Sequence, residues 1–145
     1  MEYQYDVAKN CLFSKTRKVS RYITNLYTQA LKEVGLTPVQ YSMLTAILIL
    51  KEANINDLSS ALKMDRTTIN RNLKPLTRDG WVFMNESSDK RERIISITKE
   101  GQELYEKGYE SWKQAQCDFQ NILGEEKRDE MSNLLDEIIK TISTK

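Results

Sequence analysis

Residues 55–98 read INDLSSALKMDRTTINRNLKPLTRDGWVFMNESSDKRERIISIT. This stretch lays out two short helices followed by a two-stranded hairpin with a basic tip. Leu58, Ala61 and Leu62 recur at helical spacing after Asn56 and Asp57, which serve as a cap pair; a turn passes through Met64 and Asp65, and Ile69, Leu73 and Leu76 recur in the next helix. Two short helices with one apolar stripe each must pack on one another, and Ala61 is small enough to let them cross closely, as a helix-turn-helix requires. Asp65 is placed to cap the second helix through the freed amides near Thr68.

With Ile69, Leu73 and Leu76 turned inward, the other face of the second helix carries Arg66, Thr67, Thr68, Asn70, Arg71, Lys74 and Arg78. None of these is needed for a core. Arg can grip guanine O6 and N7 with two hydrogen bonds, Asn can do the same to adenine, and a Thr methyl can touch thymine, so the mix suits a helix laid in the major groove. In isolation the same face also reads as plain solvated surface. After Gly80, the strand formers Trp81, Val82 and Phe83 and the alternating run from Arg93 to Thr98 flank a tip of Glu86 to Glu92. A hairpin with Lys90, Arg91 and Arg93 near its tip is placed to enter a narrow minor groove, where negative potential is concentrated. Asp89 is read either as the carboxylate that holds the Arg91 guanidinium or as an ordinary turn residue.

These motifs resemble the MarR family of bacterial winged helix-turn-helix regulators. RYITNLYTQALKEVGLTPVQYSMLTAI resembles the family's first two helices with their GLT-x-x-Q junction, DKRERIISIT-x-E-G resembles its D-x-R…L-T-x-x-G signature with Ile97 in place of the usual Leu, and ESWKQAQ resembles the fifth helix of one branch. The resemblance implies a homodimer on a palindromic operator, with repression relieved by a small ligand or by oxidation.

Charge is patterned along the chain although the net is only +1. Residues 1–50 carry six basic and three acidic groups, 51–100 ten and eight, and 101–145 six and ten, so the DNA-facing excess falls in the first two thirds. No stretch has the roughly 18 apolar residues of a membrane span, and the polar start MEYQYDVAKN lacks the apolar core of a signal peptide. A cytoplasmic protein is expected. The chain has no histidine, and no Gly-rich phosphate loop or nucleophile elbow appears; the carboxylates Glu125, Glu126, Asp129 and Glu130 form a charge run at a helix start. An enzyme is therefore not expected, nor a metal or cofactor. The remaining alternative is a winged-helix module that binds protein.

The rest of the apolar pattern points to a dimer. Residues 99–123 form one long helix with Leu104, Gly108, Trp112, Ala115, Phe119 and Ile122 on one side, Gly124 breaks it, and a last helix aligns Met131, Leu134, Leu135, Ile138, Ile139 and Ile142. The N-terminal helix adds Val19, Ile23, Leu26, Ala30 and Val34. These stripes exceed what one small domain can cover, which predicts a mainly α fold: a winged helix-turn-helix over 37–98, and a helical dimerisation region made of 1–36 and 99–145 within a single 1–145 domain. The resemblance implies a ligand pocket between the dimer helices and the winged part, for which Tyr27, Tyr41, Met43, Trp81 and Trp112 are the candidate walls. Cys11 and Cys117 match no metal spacing. Cys11, near the start of the first long helix with Tyr3, Tyr5, Tyr22, Tyr27 and Tyr41 as candidate neighbours, is the candidate redox residue, by resemblance to family members that sense organic hydroperoxides; counting back from the GLT-x-x-Q junction, however, puts Phe13 at the expected position.

Overall fold

The computed structural model describes residues 2–86 and 92–144. Its chain order is α1 (Tyr3–Asn10), α2 (Leu12–Leu31), a 3-10 turn (Lys32–Val34), α3 (Pro38–Leu50), α4 (Ile55–Leu62), α5 (Arg66–Arg78), β1 (Val82–Glu86), β2 (Arg93–Ile97), α6 (Lys99–Leu123) and α7 (Glu125–Ser143). The fold is mainly α with one small antiparallel wing, as the pattern predicts.

The centre of the molecule is α3. Gly35, at φ 73°, ends the 3-10 turn, and the next residues explain the GLT-x-x-Q junction in physical terms. The Gln40 amide donates to the Thr37 hydroxyl at 3.1 Å and the Thr37 amide donates to the Gln40 side-chain carbonyl at 3.0 Å, a reciprocal cap with Pro38 at the first helical position. From there α3 is apolar on most sides and buries Tyr41, Met43, Leu44, Ala46 and Ile47, with α2, α4, α5, α6 and β2 packed around it. Leu31, Leu36, Ala53, Leu58, Ile69, Leu73, Leu76, Val82 and Ile95 complete this core.

Two local expectations are corrected. The cap of α4 is Asn54, not Asn56 with Asp57: Asn54 accepts from the Asp57 amide at 2.8 Å while Asp57 accepts from the Asn54 amide at 3.0 Å. Only this spacing lets each side chain reach the other's backbone. Ala61 is exposed rather than at the crossing of α4 and α5; Leu58, fully buried, faces the core instead, and Ala61 turns towards a cavity described below. Between the two helices Lys63 adopts φ 53° and ψ 42° to make the turn.

The wing pairs Val82 with Ile97 through Glu86 with Arg93. Trp81 lies just before β1 rather than in it. Ala53 adds a single bridge to Ile95 on the far edge, which ties the α3–α4 connection to the sheet. Lys51, at φ 63° and ψ −53°, makes the sharp bend before it, and the Glu52 amide donates to the Leu50 carbonyl across a three-residue turn at 2.7 Å.

At the far end of the wing, the Thr98 hydroxyl lies 2.7 Å from the Gly80 carbonyl and accepts from the Gly101 amide at 3.0 Å, so one side chain caps α6 and anchors the wing root. A Cβ added at Gly101 would stand 2.1 Å from the Trp81 carbonyl oxygen, so only glycine fits where α6 crosses the wing root.

The terminal helices differ from expectation in one respect. The N-terminal segment is two helices, broken at Cys11, whose φ −66° and ψ 109° are extended, and Val34 sits in the 3-10 turn rather than on the helix. The long helix α6 and the break at Gly124 fall where the apolar spacing and the glycine place them. α2 and α7 both pack on α6, yet much of their apolar surface is uncovered. Among the described residues, no single helix is long and apolar enough to cross a membrane.

Candidate nucleic-acid interface and effector cavity

Helix α5 separates its two faces cleanly. Ile69, Leu73 and Leu76 are buried, and Arg66, Thr67, Asn70, Arg71, Lys74 and Arg78 are exposed. The helix begins at Asp65, whose carboxylate accepts from the Thr68 amide at 2.7 Å; that hydrogen bond holds the Asp65 carboxyl below the usual carboxylate range. Thr68 is half-buried, and its carbonyl accepts from the Asn72 side chain at 2.9 Å. Arg71, Asn70 and Lys74 therefore lie on the outward surface with no core duty.

Arg78 stands apart from the other cations of this helix. Its Nε and Nη2 donate to the two carboxylate oxygens of Asp79 at 2.9 and 3.2 Å, which directs the guanidinium along the helix end and balances its charge locally. Pro75, inside the helix, leaves the Arg71 carbonyl without its usual amide donor one turn on.

Beside the front of α5, Arg66 and Arg93 line one cleft of about 290 Å³ with Asn54, Asn56 and Glu92. The tip end of β2 and the reading helix thus bring Arg93 and Arg66 to one shared opening beside the Glu92 carboxylate, an arrangement the linear sequence does not reveal. Asp89, Lys90 and Arg91, the expected tip residues, lie outside the described residues.

A larger cavity of about 650 Å³ opens where α2, α3, α4 and α6 meet. Tyr27, Tyr41 and Trp112 line it. Met43 and Trp81 do not: Met43 is wholly buried inside the core, and Trp81 packs against that core at the wing root. The walls that sequence reasoning missed include Thr45, Ile49, Tyr105 and Tyr109. Tyr105, Tyr109 and Trp112 recur at steps of four and three on α6, a helical face on which Gly108 signals close approach. Tyr41 supplies that approach, since a Cβ at Gly108 would lie 2.8 Å from its ring.

Two aromatic pairs shape the walls. Tyr41 and Tyr105 stack with centroids 4.6 Å apart, and Tyr109 and Trp112 stack at 5.6 Å. The Tyr41 hydroxyl donates to the Tyr105 carbonyl at 3.4 Å, and the Thr45 hydroxyl lies 2.9 Å from the Tyr41 carbonyl and 3.2 Å from the Tyr105 hydroxyl. Burial, and then the neighbouring Tyr105, pushes the Tyr41 hydroxyl far above its ordinary range, and burial raises Tyr27, so both stay neutral at physiological pH.

Cys11 caps α2 and accepts from the Ser14 amide at 3.5 Å. It does not line the cavity that Tyr27 and Tyr41 share, so those two of its expected tyrosine neighbours belong to another site.

Known proteins share this architecture. Residues 31–98 match the family of the sugar-specific transcriptional regulator TrmB. The chain is 29% identical over 95 residues to the uncharacterized HTH-type transcriptional regulator YwoH of Bacillus subtilis, covering 66% of this chain and 69% of that one. Its fold superposes on the M. tuberculosis regulator MosR in complex with DNA with a TM-score of 0.75 at 29% identity, over 86% of this chain and 93% of that one. A mutant of E. coli MarR, complexed with operator DNA, superposes with a TM-score of 0.83 at 19% identity, over 92% of this chain and 96% of that one. The chain is a winged-helix transcriptional regulator, and its fold is that of the MarR structure.

Proposed function

We propose that this regulator is a homodimeric repressor that reads a palindromic duplex operator and lets go of it when a small molecule occupies the 650 Å³ cavity. The observation that carries DNA recognition is the exposed Arg66, Thr67, Asn70, Arg71 and Lys74 face of α5, set directly opposite its buried stripe. In this reading Asn70 and Arg71 meet base edges because they lie towards the front of the helix, and Lys74 holds phosphate. Arg66 and Arg93 close on one phosphate from two sides through their shared cleft. Arg78 can still hold phosphate in this reading, because Asp79 takes only its Nε and one Nη2 proton and leaves the outer guanidinium edge free.

Residues 1–36 and 99–145 form the dimerisation region in this proposal. Support comes from Leu12 and Phe13 on α2 and from Leu134, Leu135, Ile138, Ile139 and Ile142 on α7, all uncovered in the single subunit. A two-fold pair of subunits would bury them and present two α5 helices to successive major-groove turns.

Selection of duplexes from a random pool, followed by fluorescence anisotropy titration across salt concentrations, tests the reading. A palindromic consensus and a steep linear fall of log affinity with log salt are expected. Absence of duplex binding at low salt would assign the winged helix to a protein partner instead.

A further inference from the structure

The bend between α3 and α4 is strained at a residue that glycine would suit better. Lys51 adopts φ 63° and ψ −53°, and around it the Glu52 amide donates to the Leu50 carbonyl at 2.7 Å, a γ-turn of the rare positive-φ kind. Gly35, Gly80 and Gly124 also have positive φ, where glycine is at ease. Lys63 sits at φ 53° and ψ 42°, inside the ordinary left-handed well. Among the described residues with positive φ, Lys51 alone holds a side chain outside that well.

Such strain persists only where neighbouring contacts enforce it. On one side the Lys51 amide makes the last helical bond of α3, to the Ile47 carbonyl at 2.9 Å. On the other, the Ile95 amide donates to the Ala53 carbonyl at 2.7 Å and the Ala53 amide donates to the Ile95 carbonyl at 3.4 Å, with both residues fully buried. The chain has only Lys51 and Glu52 in which to turn from the first bond to the second. The next residue, Asn54, caps α4, so the bridge to Ile95 is what seats the start of α4 against the wing.

That seat forms one side of the cleft already described. Asn54, Ile55 and Asn56 line it from the start of α4, Glu92 and Arg93 from the wing, and Arg66 from α5. Parting Ala53 from Ile95 would draw the α4 wall away from the Arg93 wall. Relaxing Lys51 to negative φ favours that parting, and strain of this kind biases a local equilibrium by about fivefold or more.

We propose that Lys51 is a positioning residue for DNA binding: its strain keeps the Ala53–Ile95 bridge marginal, so the cleft opens and shuts locally, and duplex DNA binds the shut form. This rests on reading the cleft as a phosphate site, where Arg66 and Arg93 must stand together to grip. The free protein then loses affinity by the fraction of time the cleft is open.

Hydrogen exchange of the full chain tests the opening, because the Ile95 amide is the bridge's own donor. It should exchange about tenfold or more faster than the amide of Leu44, deep in α3, and the duplex selected from the random pool should close most of that gap. Anisotropy on the same duplex tests the consequence. Lys51→Ala keeps a side chain on the bend and removes the charge, whereas Lys51→Gly removes the charge and the strain together. The glycine variant should bind about threefold or more tighter than the alanine variant. A glycine that merely stabilised the fold would not alter affinity, since nearly every molecule is already folded. An Ile95 amide as protected as that of Leu44, or equal affinities for the two Lys51 variants, would overturn the inference. Arg66→Ala and Arg93→Ala should each weaken binding and lower the salt slope by about one. Unchanged binding in both would overturn the phosphate reading and the inference with it, whereas losses there beside equal Lys51 variants would overturn the inference alone.

Discussion

The reading head and the terminal helices use apolar residues in opposite ways. In the head, Leu58, Ile69, Leu73 and Leu76 are at most 2% exposed, and both α3 and α4 start with reciprocal caps. On α7, Leu134, Leu135, Ile138, Ile139 and Ile142 are 44% to 57% exposed, and α7 begins at Gly124 without a side-chain cap. The head is complete within one chain. The terminal helices carry as regular a stripe with nothing over it in the single subunit, and this is the surface that the proposed second copy would cover. Self-sufficiency thus belongs to the part that reads, and dependence to the part that spaces.

The sharpest way to break this contrast is to remove α7. Deleting residues 125–145 takes away no proposed DNA contact, yet operator affinity should fall by about a hundredfold or more as the second half-site is lost, and light scattering should report a monomer. A truncated protein that remains folded, monomeric and tight-binding would refute the division of labour.

In the head, Ile69→Ala should cost about 2–5 kcal/mol in chemical denaturation while the oligomeric state persists. Arg71→Ala should leave the melting curve unchanged and cost about 1–3 kcal/mol at the cognate site with relaxed base preference, measured by anisotropy on cognate and scrambled duplexes; equal losses on both would assign Arg71 to phosphate. Lys51→Gly should raise stability by about 1 kcal/mol, since glycine reaches a positive φ without the strain of a side chain.

The smallest effect concerns acid. Asp65 is held below the ordinary carboxylate range, so its cap contributes at neutral pH and is lost as the pH falls through its lowered value. Asp65→Asn, which caps without a charge, should flatten this part of the stability profile between mildly acidic and strongly acidic melts.

Legibility from sequence followed the range of the forces involved. The helix α6 and the start of α7 could be read because an unbroken apolar period and Gly124 are local signals. The Asp65 cap was equally legible. The Asn54 cap was not, because Asn54, Asn56 and Asp57 all suit a helix start and only the reciprocal spacing of Asn54 and Asp57 chooses among them. The helix α1 escaped because it buries no residue and its break at Cys11 carries neither glycine nor proline. In the cavity, Tyr27, Tyr41 and Trp112 were named from residue type and the pocket position the resemblance implies, and the same reasoning added Met43 and Trp81, which do not line it. Which way an aromatic points is fixed by how α3 meets α6, a tertiary event that Gly108 hints at and no periodicity states.

Gly101 gives the molecule a mechanical property. With the Trp81 carbonyl seated against its bare backbone and Thr98 bonded to both sides, α6 leaves the wing with no hinge in between. Its 25 residues make a rod of about 37 Å. Pivoted at one end by about 5°, a rod of that length sweeps its other end through about 3 Å, roughly one base-pair rise out of the 34 to 36 Å that separate successive turns of a duplex. In the proposed dimer, a joint of this kind would convert a slight change of angle among the terminal helices into a mismatch of stride along the DNA.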